Sequence, residues 1–237
     1  METATLQKIK RVAGKLFEAK LLEAGRVLDV RFWQEKAIVE IDLHLPKSNM
    51  SKWTEVPYIK FKVDTLTYRD YTPCGWDAET RTCTIFIDAA HNGAGSKWAR
   101  ALKTGDEVGY MPAAPTRHRP DVSKTIIALG DASSLGHMLA LQQLAQPRAN
   151  FTGAIAVSNA ECCMQFKDYL HSSLDPVLRK DEYGHHSLME WLLSQQHKLN
   201  DVVFYIAGNN TMVSQMRKLL KQQGYASGQI KVHGFWG

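Results

Sequence analysis

The hydrophobic pattern changes near residue 122, and this change constrains the fold more than any other feature of the 237-residue sequence. Before it, short segments alternate apolar and polar residues or are rich in β-branched residues, which is typical of half-buried strands. Turn-forming Gly, Pro, Asn or Asp residues separate most of these segments, so an antiparallel barrel or sandwich is predicted. The predicted strands are Val27–Trp33, Ala37–Leu45, Val56–Val63, Arg81–Ala89 and Glu107–Met111, and a short helix capped by Ser96 is predicted at Ser96–Lys103.

After residue 122, predicted strands and helices alternate along the chain. This alternation is typical of a parallel sheet with helices packed on its faces. The predicted strands are Lys124–Leu129, Gly153–Val157, Val202–Ala207 and Ile230–His233, and the predicted helices are Ser134–Gln146, Cys162–Leu170, Ser187–Gln196 and Thr211–Gln223. We therefore predict an antiparallel β-barrel domain over residues 1–121 and a doubly wound α/β domain over residues 122–237.

Composition excludes several classes of protein. No stretch approaches the roughly 18 consecutive apolar residues that a membrane span needs, and the polar start of the sequence has no signal-peptide core. The net charge of +5 is spread over both halves of the chain, which argues against a nucleic-acid-binding protein. The four cysteines form no C-x-x-C pair and no zinc-type spacing, so we expect free thiols in a reducing cytoplasm.

The first candidate motif is the segment Arg69-Asp70-Tyr71-Thr72. Arg69 and Tyr71 would share one face of a strand, because side chains alternate between faces. A flavin needs a cation for its phosphate, an apolar surface for its ring and a hydrogen-bond donor near ring atom N5. Arg, Tyr and Thr can supply these three groups. Taken alone, however, the four residues favour an ordinary barrel strand with an exposed ion pair and a core tyrosine.

The second candidate motif is a glycine-rich segment over residues 88–99 that leads into the predicted helix. A helix N-terminus offers free backbone N–H groups and the positive end of a dipole, which suit a diphosphate. The segment matches neither the Walker A pattern nor G-x-G-x-x-G. A flexible turn with Ser96 as an ordinary helix cap is an equally good interpretation.

Two predicted strands of the second half end in small or polar residues, at positions 130–136 and 205–210. Ligands of open parallel sheets bind at the carboxyl ends of the strands, so these two segments would form two walls of one crevice. At the chain end, the aromatic residues Phe235 and Trp236 could stack on a ligand ring, although terminal aromatic residues more often serve in docking.

A histidine pair, His185-His186, stands beside Asp181 and Glu182. These residue types could bind a metal ion. A polar surface loop is the favoured interpretation, and no metal site is predicted.

Taken in order, the candidate motifs resemble those of the siderophore-interacting protein family, a FAD-binding branch of the ferredoxin-reductase-like flavoproteins. The family's R-x-Y-[ST] motif is matched by Arg69, Tyr71 and Thr72, and its H-G-x-x-G-P-A-S-x-W-A segment resembles His91 through Ala99. Its G-D-E-T-A-L-P-A segment resembles Gly130 through His137, its late Ala-Gly-Glu turn resembles Ala207-Gly208-Asn209, and its terminal G-Y-W resembles Gly234-Phe235-Trp236.

The resemblance implies a FAD-binding barrel, an NAD(P)H-type second domain, and reduction of ferric-siderophore iron in the cytoplasm. NADH, NADPH or ferredoxin would supply the electrons, and reduction would release iron because Fe(II) binds hard oxygen ligands more weakly than Fe(III). It assigns catalytic roles to Tyr71, stacked on the flavin ring, and to Thr72, near N5. Cofactor contacts are further implied for Arg69, Asp88, His91, Gly93, Gly95, Ser96, Trp98, Gly130, Asp131, Ser133, Ser134, Gly208, Asn209 and Trp236.

The sequence departs from the family pattern at several positions. Ala94 and Gly136 stand where the family has proline, Asn209 replaces an acidic residue, and the basic residues that usually follow the terminal aromatic pair are not present. As substitutes that would hold an anionic ferric complex we predict Arg117, His118, Arg119 and Lys231.

The choice of electron donor and the type of activity stay open in the sequence. The segment after the second strand of the α/β half, residues 158–161, has no cation to pair with a 2′-phosphate, which favours NADH over NADPH. A general flavin-dependent NAD(P)H:acceptor or ferredoxin reductase is one alternative function, and a non-catalytic siderophore- or flavin-binding module is another. We expect a monomer.

Overall fold

Two β-sheets of different type form the structure, a computed structural model that describes residues 21–33, 37–170, 172–195 and 201–236. The strands of the first sheet are β1 (Glu23–Trp33), β2 (Ile38–His44), β3 (Pro57–Asp64), β4 (Thr67–Tyr71), β5 (Pro73–Asp77), β6 (Thr82–Asp88), β7 (Glu107–Tyr110) and β8 (Ala114–Pro115). They pair in the order β4-β3-β7-β1-β2-β6-β5, and β8 pairs with β3. All described pairs in this sheet are antiparallel, which confirms the predicted architecture of the first half.

The core of the first sheet follows from the alternation read in the sequence. Val39, Ile41 and Leu43 of β2 are fully buried, and the residues between them are partly exposed, as the period of two in a strand requires. Ile59 and Phe61 of β3 lie in the same core cluster. Burial of this one face against α1 (Ala94–Ala101) fixes the register of the strands that carry the candidate flavin motif.

The first helix begins two residues earlier than the sequence predicted. Gly93 occupies the N-cap position of α1, and no side chain caps the helix. The prediction that Ser96 is the cap is wrong, because Ser96 lies inside the first turn and is buried.

The second sheet is parallel, with the strand order β11-β10-β9-β12-β13. Its elements are β9 (Thr125–Asp131), α2 (Leu135–Ala145), β10 (Phe151–Val157), α3 (Ala160–Tyr169), β11 (Leu174–Leu178), α4 (His185–Ser194), β12 (Val202–Asn209), α5 (Asn210–Gln222) and β13 (Ile230–Trp236). Short 3-10 helices occur at Met50–Lys52, Ala132–Ser134 and Ser227–Gln229. Strand β12 is buried along its whole length because helices cover both faces of the sheet.

One strand of the second sheet was missed from the sequence. Strand β11 contains Asp175 and Pro176, two residue types that are rare in strands. Pro176 is tolerated because β11 is the edge strand and pairs only with β10. The predicted end of the fourth helix at Gln196 lies outside the described residues.

The two sheets share an apolar core. Trp33 and Phe86 of the first sheet lie in one cluster with Leu135 and Met138 of α2. Across the same boundary, the side-chain amide of Gln143 donates to the backbone oxygen of Trp76 at 2.9 Å and accepts from its N–H at 3.2 Å. The cleft described below therefore lies at a packed junction.

The structure also shows the state of the cysteines and the character of the helices. All four cysteines are free, and Cys74, Cys83 and Cys162 are buried, as expected for structural thiols. Among the helices of the described residues, none has both the length and the apolar character that crossing a membrane would require.

Candidate functional site

A cleft of about 690 Å³ lies where the first sheet meets the carboxyl edge of the second. Strand β4, the start of α1, the start of α2 and the end of β13 form its walls. The structure brings together in this cleft the following residues predicted from the sequence: Arg69, Tyr71, Thr72, Asp88, His91, Gly93, Gly95, Ser96, Ser133 and Trp236.

Arg69 and Tyr71 share one face of β4, as predicted. Both side chains approach Gly95 at the start of α1: a Cβ atom placed on Gly95 would lie 3.3 Å from Cγ of Arg69 and would collide with the hydroxyl of Tyr71. Any other residue at position 95 would therefore displace the side chain of Tyr71. The guanidinium of Arg69 donates to the backbone oxygen of Tyr68 at 2.7 Å, and no carboxylate of the described residues forms an ion pair with it.

An aromatic layer supports Tyr71 from behind. Its ring is stacked on Trp98 with a centroid distance of 5.9 Å and an interplanar angle of 6°, and Phe61 lies 6.1 Å away. Burial raises the pKa of Tyr71 to about 12, so its hydroxyl stays protonated at neutral pH. Trp98 itself does not line the cleft. Its structural role is to hold the phenol in position.

The N-terminus of α1 forms the second wall beside Arg69. Because no side chain caps this helix, the backbone N–H groups of its first turn are available to a ligand. Gly95 and Ser96 of that turn line the cleft. A guanidinium and a free helix N-terminus on adjacent walls are the groups that bind phosphate, so these residues fit the diphosphate of a dinucleotide such as FAD.

A second cavity of about 520 Å³ lies at the carboxyl ends of β9, β10 and β12. Asp131 and Asn209 line it, as predicted for a crevice at this edge of the sheet. Asp88, His91 and Trp236 line both cavities.

Trp236 forms part of the boundary between the cleft and the second cavity. Its indole N–H donates to Oγ of Ser133 at 3.2 Å, and the ring of His91 meets it edge-on at 5.3 Å. The terminal aromatic residue is therefore docked between the cavities rather than frayed.

Asp131 joins the ends of β9 and β12. Its carboxylate accepts from the backbone N–H of Asn209 at 2.8 Å and from the N–H of Ser133 at 3.0 Å. Gly208 adopts φ +133°, and a Cβ there would lie 2.6 Å from Asp131 Oδ1, so glycine is required. Gly130, Ser134 and Gly208 line neither cavity, although the sequence placed them in the site. They allow close packing at the edge of the sheet.

The four predicted substrate-binding residues do not reach the cleft. Arg117, Arg119 and Lys231 are exposed but line neither cavity, and His118 is only 1% exposed, so it cannot contact a ligand in solution. The backbone of this segment is held at Val56, whose N–H donates to the oxygen of His118 at 2.8 Å. Lys60 and Arg69 are the cations of the described residues that line the cleft.

Sequence reasoning missed a cluster of three histidines, His118, His137 and His233, of which His137 and His233 line the cleft. Nδ1 of His118 lies 2.8 Å from Nε2 of His137, and the ring of His233 is stacked on His137 at 5.6 Å. Burial lowers the pKa of His118 to about 4 and that of His137 well below its usual value, so both imidazoles are neutral at pH 7. No local signal reveals this cluster, because its members are far apart in the chain.

Sequence reasoning also missed Arg179, which follows β11 and lines the second cavity together with Glu182 and Tyr183. Its guanidinium donates to the backbone oxygen of Glu182 at 3.3 Å. The segment after β10 contains no cation that could pair with a 2′-phosphate. Arg179 follows the edge strand that contains Pro176, and the sequence pattern did not predict this strand.

Two family models match the chain. The model for siderophore-interacting protein matches residues 123–237, and the model for the siderophore-interacting FAD-binding domain matches residues 21–116. No curated protein sequence matches the chain.

Several solved structures have the same fold. The siderophore-interacting protein from Acinetobacter baumannii is 13% identical, with a TM-score of 0.72 over 91% of this chain and 89% of that chain. A siderophore utilization protein from T. fusca is 20% identical, with a TM-score of 0.68 over 91% and 92%. The ferredoxin reductase in carbazole 1,9a-dioxygenase is 16% identical, with a TM-score of 0.74 over 90% and 69%. These likenesses confirm the predicted ferredoxin-reductase-like fold.

Proposed function

Because the chain belongs to the siderophore-interacting protein family, we propose that it is a FAD-dependent reductase that uses NAD(P)H to reduce ferric-siderophore iron. The observation that carries this proposal is the meeting of Arg69, Tyr71 and the uncapped start of α1 in one cleft. A bound flavin would accept two electrons from the donor and pass them one at a time to Fe(III). Reduction to Fe(II) weakens binding by hard oxygen ligands and so frees the metal.

Different residues of the cleft would bind different parts of FAD. The guanidinium of Arg69 and the N–H groups at residues 95 and 96 hold the diphosphate. The supported phenol of Tyr71 offers an apolar surface and a protonated hydroxyl. Thr72, at the junction of β4 and β5, also lines the cleft. The volume of about 690 Å³ is within the usual range for small-molecule sites.

The second cavity accommodates the electron donor. It lies at the carboxyl edge of the parallel sheet, where dinucleotides bind in such folds, and it meets the cleft at Trp236. Arg179 supplies the cation that pairs with a 2′-phosphate, so we favour NADPH over the NADH that the segment after β10 had suggested. Ferredoxin as donor, the cytoplasmic location and the monomeric state stay predictions.

We place the ferric complex at the part of the cleft that is lined by Tyr58 and Lys60 of β3, where Lys60 is paired with Asp70 at 2.6 Å. Lys60 replaces the cluster at residues 117–119 as the cation that faces an anionic complex.

The cofactor and the reaction can be tested on freshly purified protein. It should absorb between about 350 and 500 nm as a flavoprotein, and anaerobic NADPH should bleach this absorbance. Added ferric catecholate or hydroxamate should then restore it while a chelator traps Fe(II).

Three outcomes would contradict the proposal in different ways. Protein that neither carries nor binds FAD would contradict the cofactor. Bound FAD that NADPH and NADH both fail to reduce would contradict the donor. Equal or faster oxidation by quinones, with no Fe(II) formed from ferric complexes, would identify a general reductase instead.

Arg179→Ala should raise the KM for NADPH by roughly 10- to 150-fold, because a hydrogen bond to a charged group contributes about 1.5–3 kcal/mol. The KM for NADH should change little, since NADH lacks the 2′-phosphate. Lys180→Ala is the matched control, because Lys180 is adjacent but paired with Glu190 at 2.5 Å. Equal effects of Arg179→Ala on both nucleotides would contradict the assignment. Steady-state kinetics with each nucleotide gives the measurement.

A further inference from the structure

Three metal-binding side chains come together between β11 and α4, outside the two cavities. Asp181, His185 and His186 each offer one ligand atom, and these atoms all lie within 4.8 Å of one another. Oδ2 of Asp181 is 2.7 Å from Nδ1 of His185, and Oδ1 is 3.9 Å from Nδ1 of His186. The side chains of Asp181 and His185 are 16% exposed and that of His186 is 66% exposed, so solvent reaches the group from one side.

The contact between Asp181 and His185 does not have the form of a hydrogen bond. Nδ1 of His185 is buried and has no hydrogen-bond partner of acceptable geometry, although Oδ2 lies 2.7 Å away. The nitrogen is close enough to Asp181 for an ion pair, but it takes part in no well-formed hydrogen bond. Its lone pair can therefore be offered to a metal ion together with the carboxylate beside it.

The loop holds the carboxylate of Asp181 in place. Asp181 accepts from the backbone N–H groups of Tyr183 at 3.3 Å, Gly184 at 3.0 Å and His186 at 3.2 Å. Hydrogen bonds of this kind orient a ligating carboxylate in metal sites. Both histidines belong to the first turn of α4, so the helix fixes their spacing.

We propose that Asp181, His185 and His186 bind one divalent first-row transition-metal ion. Imidazole nitrogen together with carboxylate oxygen suits Zn²⁺, Fe²⁺, Co²⁺ and Ni²⁺. Water completes the coordination on the exposed side of His186. The site is independent of the flavin, and an ion there would order the loop that carries Arg179 and Tyr183 into the second cavity.

The test is a titration of untagged protein with Zn²⁺ against a chromophoric chelator, repeated with Co²⁺ to record its spectrum. We expect one ion per chain and Co²⁺ d–d bands without a thiolate charge-transfer band. His185→Gln/His186→Gln should weaken binding by at least about 100-fold, since even the loss of an outer-shell partner costs about 10- to 100-fold. His44→Gln, which removes a histidine of β2, is the matched control and should leave the affinity unchanged.

Several results would overturn the proposal. These are a failure to bind millimolar Zn²⁺, unchanged affinity in the double variant, and a thiolate band that assigns the ion to a cysteine. Circular dichroism shows whether the double variant is folded. If it is not, His186→Gln alone decides, because His186 is exposed and its replacement leaves the packing intact. Unchanged affinity in that variant would also contradict the site.

Discussion

Arg69→Ala should weaken FAD binding by about 1.5–3 kcal/mol, or roughly 10- to 150-fold in the dissociation constant. Arg69 lines the cleft beside the start of α1, and no carboxylate of the described residues competes for its charge. Its truncation therefore removes a contact to the ligand and leaves no buried group unsatisfied. Quenching of flavin fluorescence during titration of the apoprotein gives the dissociation constant.

Two further variants isolate the role of this guanidinium. Arg69→Lys retains the charge but loses the planar fork that binds phosphate oxygens in pairs, so its affinity should be intermediate. Arg117→Ala removes an exposed arginine that lines neither cavity, and it should bind FAD like the native protein. Equal affinity for Arg69→Ala and Arg117→Ala would remove Arg69 from the cofactor site.

Acidification from about pH 7 to about pH 4 should lower the free energy of unfolding, and His118 should account for about 3 kcal/mol of the loss. Burial, and then the neighbouring His233, lower the pKa of His118 from 6.5 to about 4 in the folded protein. The unfolded chain binds a proton at this site below pH 6.5, whereas the folded chain excludes it until about pH 4. The part of the unfolding free energy that depends on neutral His118 is therefore fully present above pH 6.5 and is lost as the pH falls towards 4.

Urea unfolding at a series of pH values gives the slope of the unfolding free energy against pH, which measures this effect. His118→Gln should be less stable at neutral pH, because His137 loses its partner at 2.8 Å, but its stability should fall less steeply with acid. An unchanged slope in His118→Gln would show that His118 does not carry the acid sensitivity.

Local patterns predicted the architecture because each sheet imposes its own period. The alternation through Val39, Ile41 and Leu43 identified a half-buried strand of the first sheet. The pairing of Arg69 with Tyr71 on one face followed from the same rule. The alternation of strands and helices after residue 122 identified a parallel sheet covered by helices, in which β12 is buried. Strand β11 was not predicted, because Pro176 is compatible with a strand only at the edge of a sheet. The position of β11 at the edge is determined by the tertiary structure and not by the local sequence.

The candidate site was predicted only in part, because a motif does not say which of its members face the ligand. Trp98 and Gly208 belong to the recognised motifs, yet one supports Tyr71 and the other makes room for Asp131. The burial of His118 and the position of Arg179 depend on contacts between segments distant in the chain. Such contacts leave no periodic signal in the sequence.

The apolar cluster that spans both sheets has a consequence for how the chain holds together. Trp33 and Phe86 find part of their packing only on Leu135 and Met138. If the chain were cut between β8 and β9, each half would expose to water the apolar surface that the other half now covers. We therefore expect the barrel and the parallel sheet to unfold together. The junction that stabilises them is also the place where the cleft is formed.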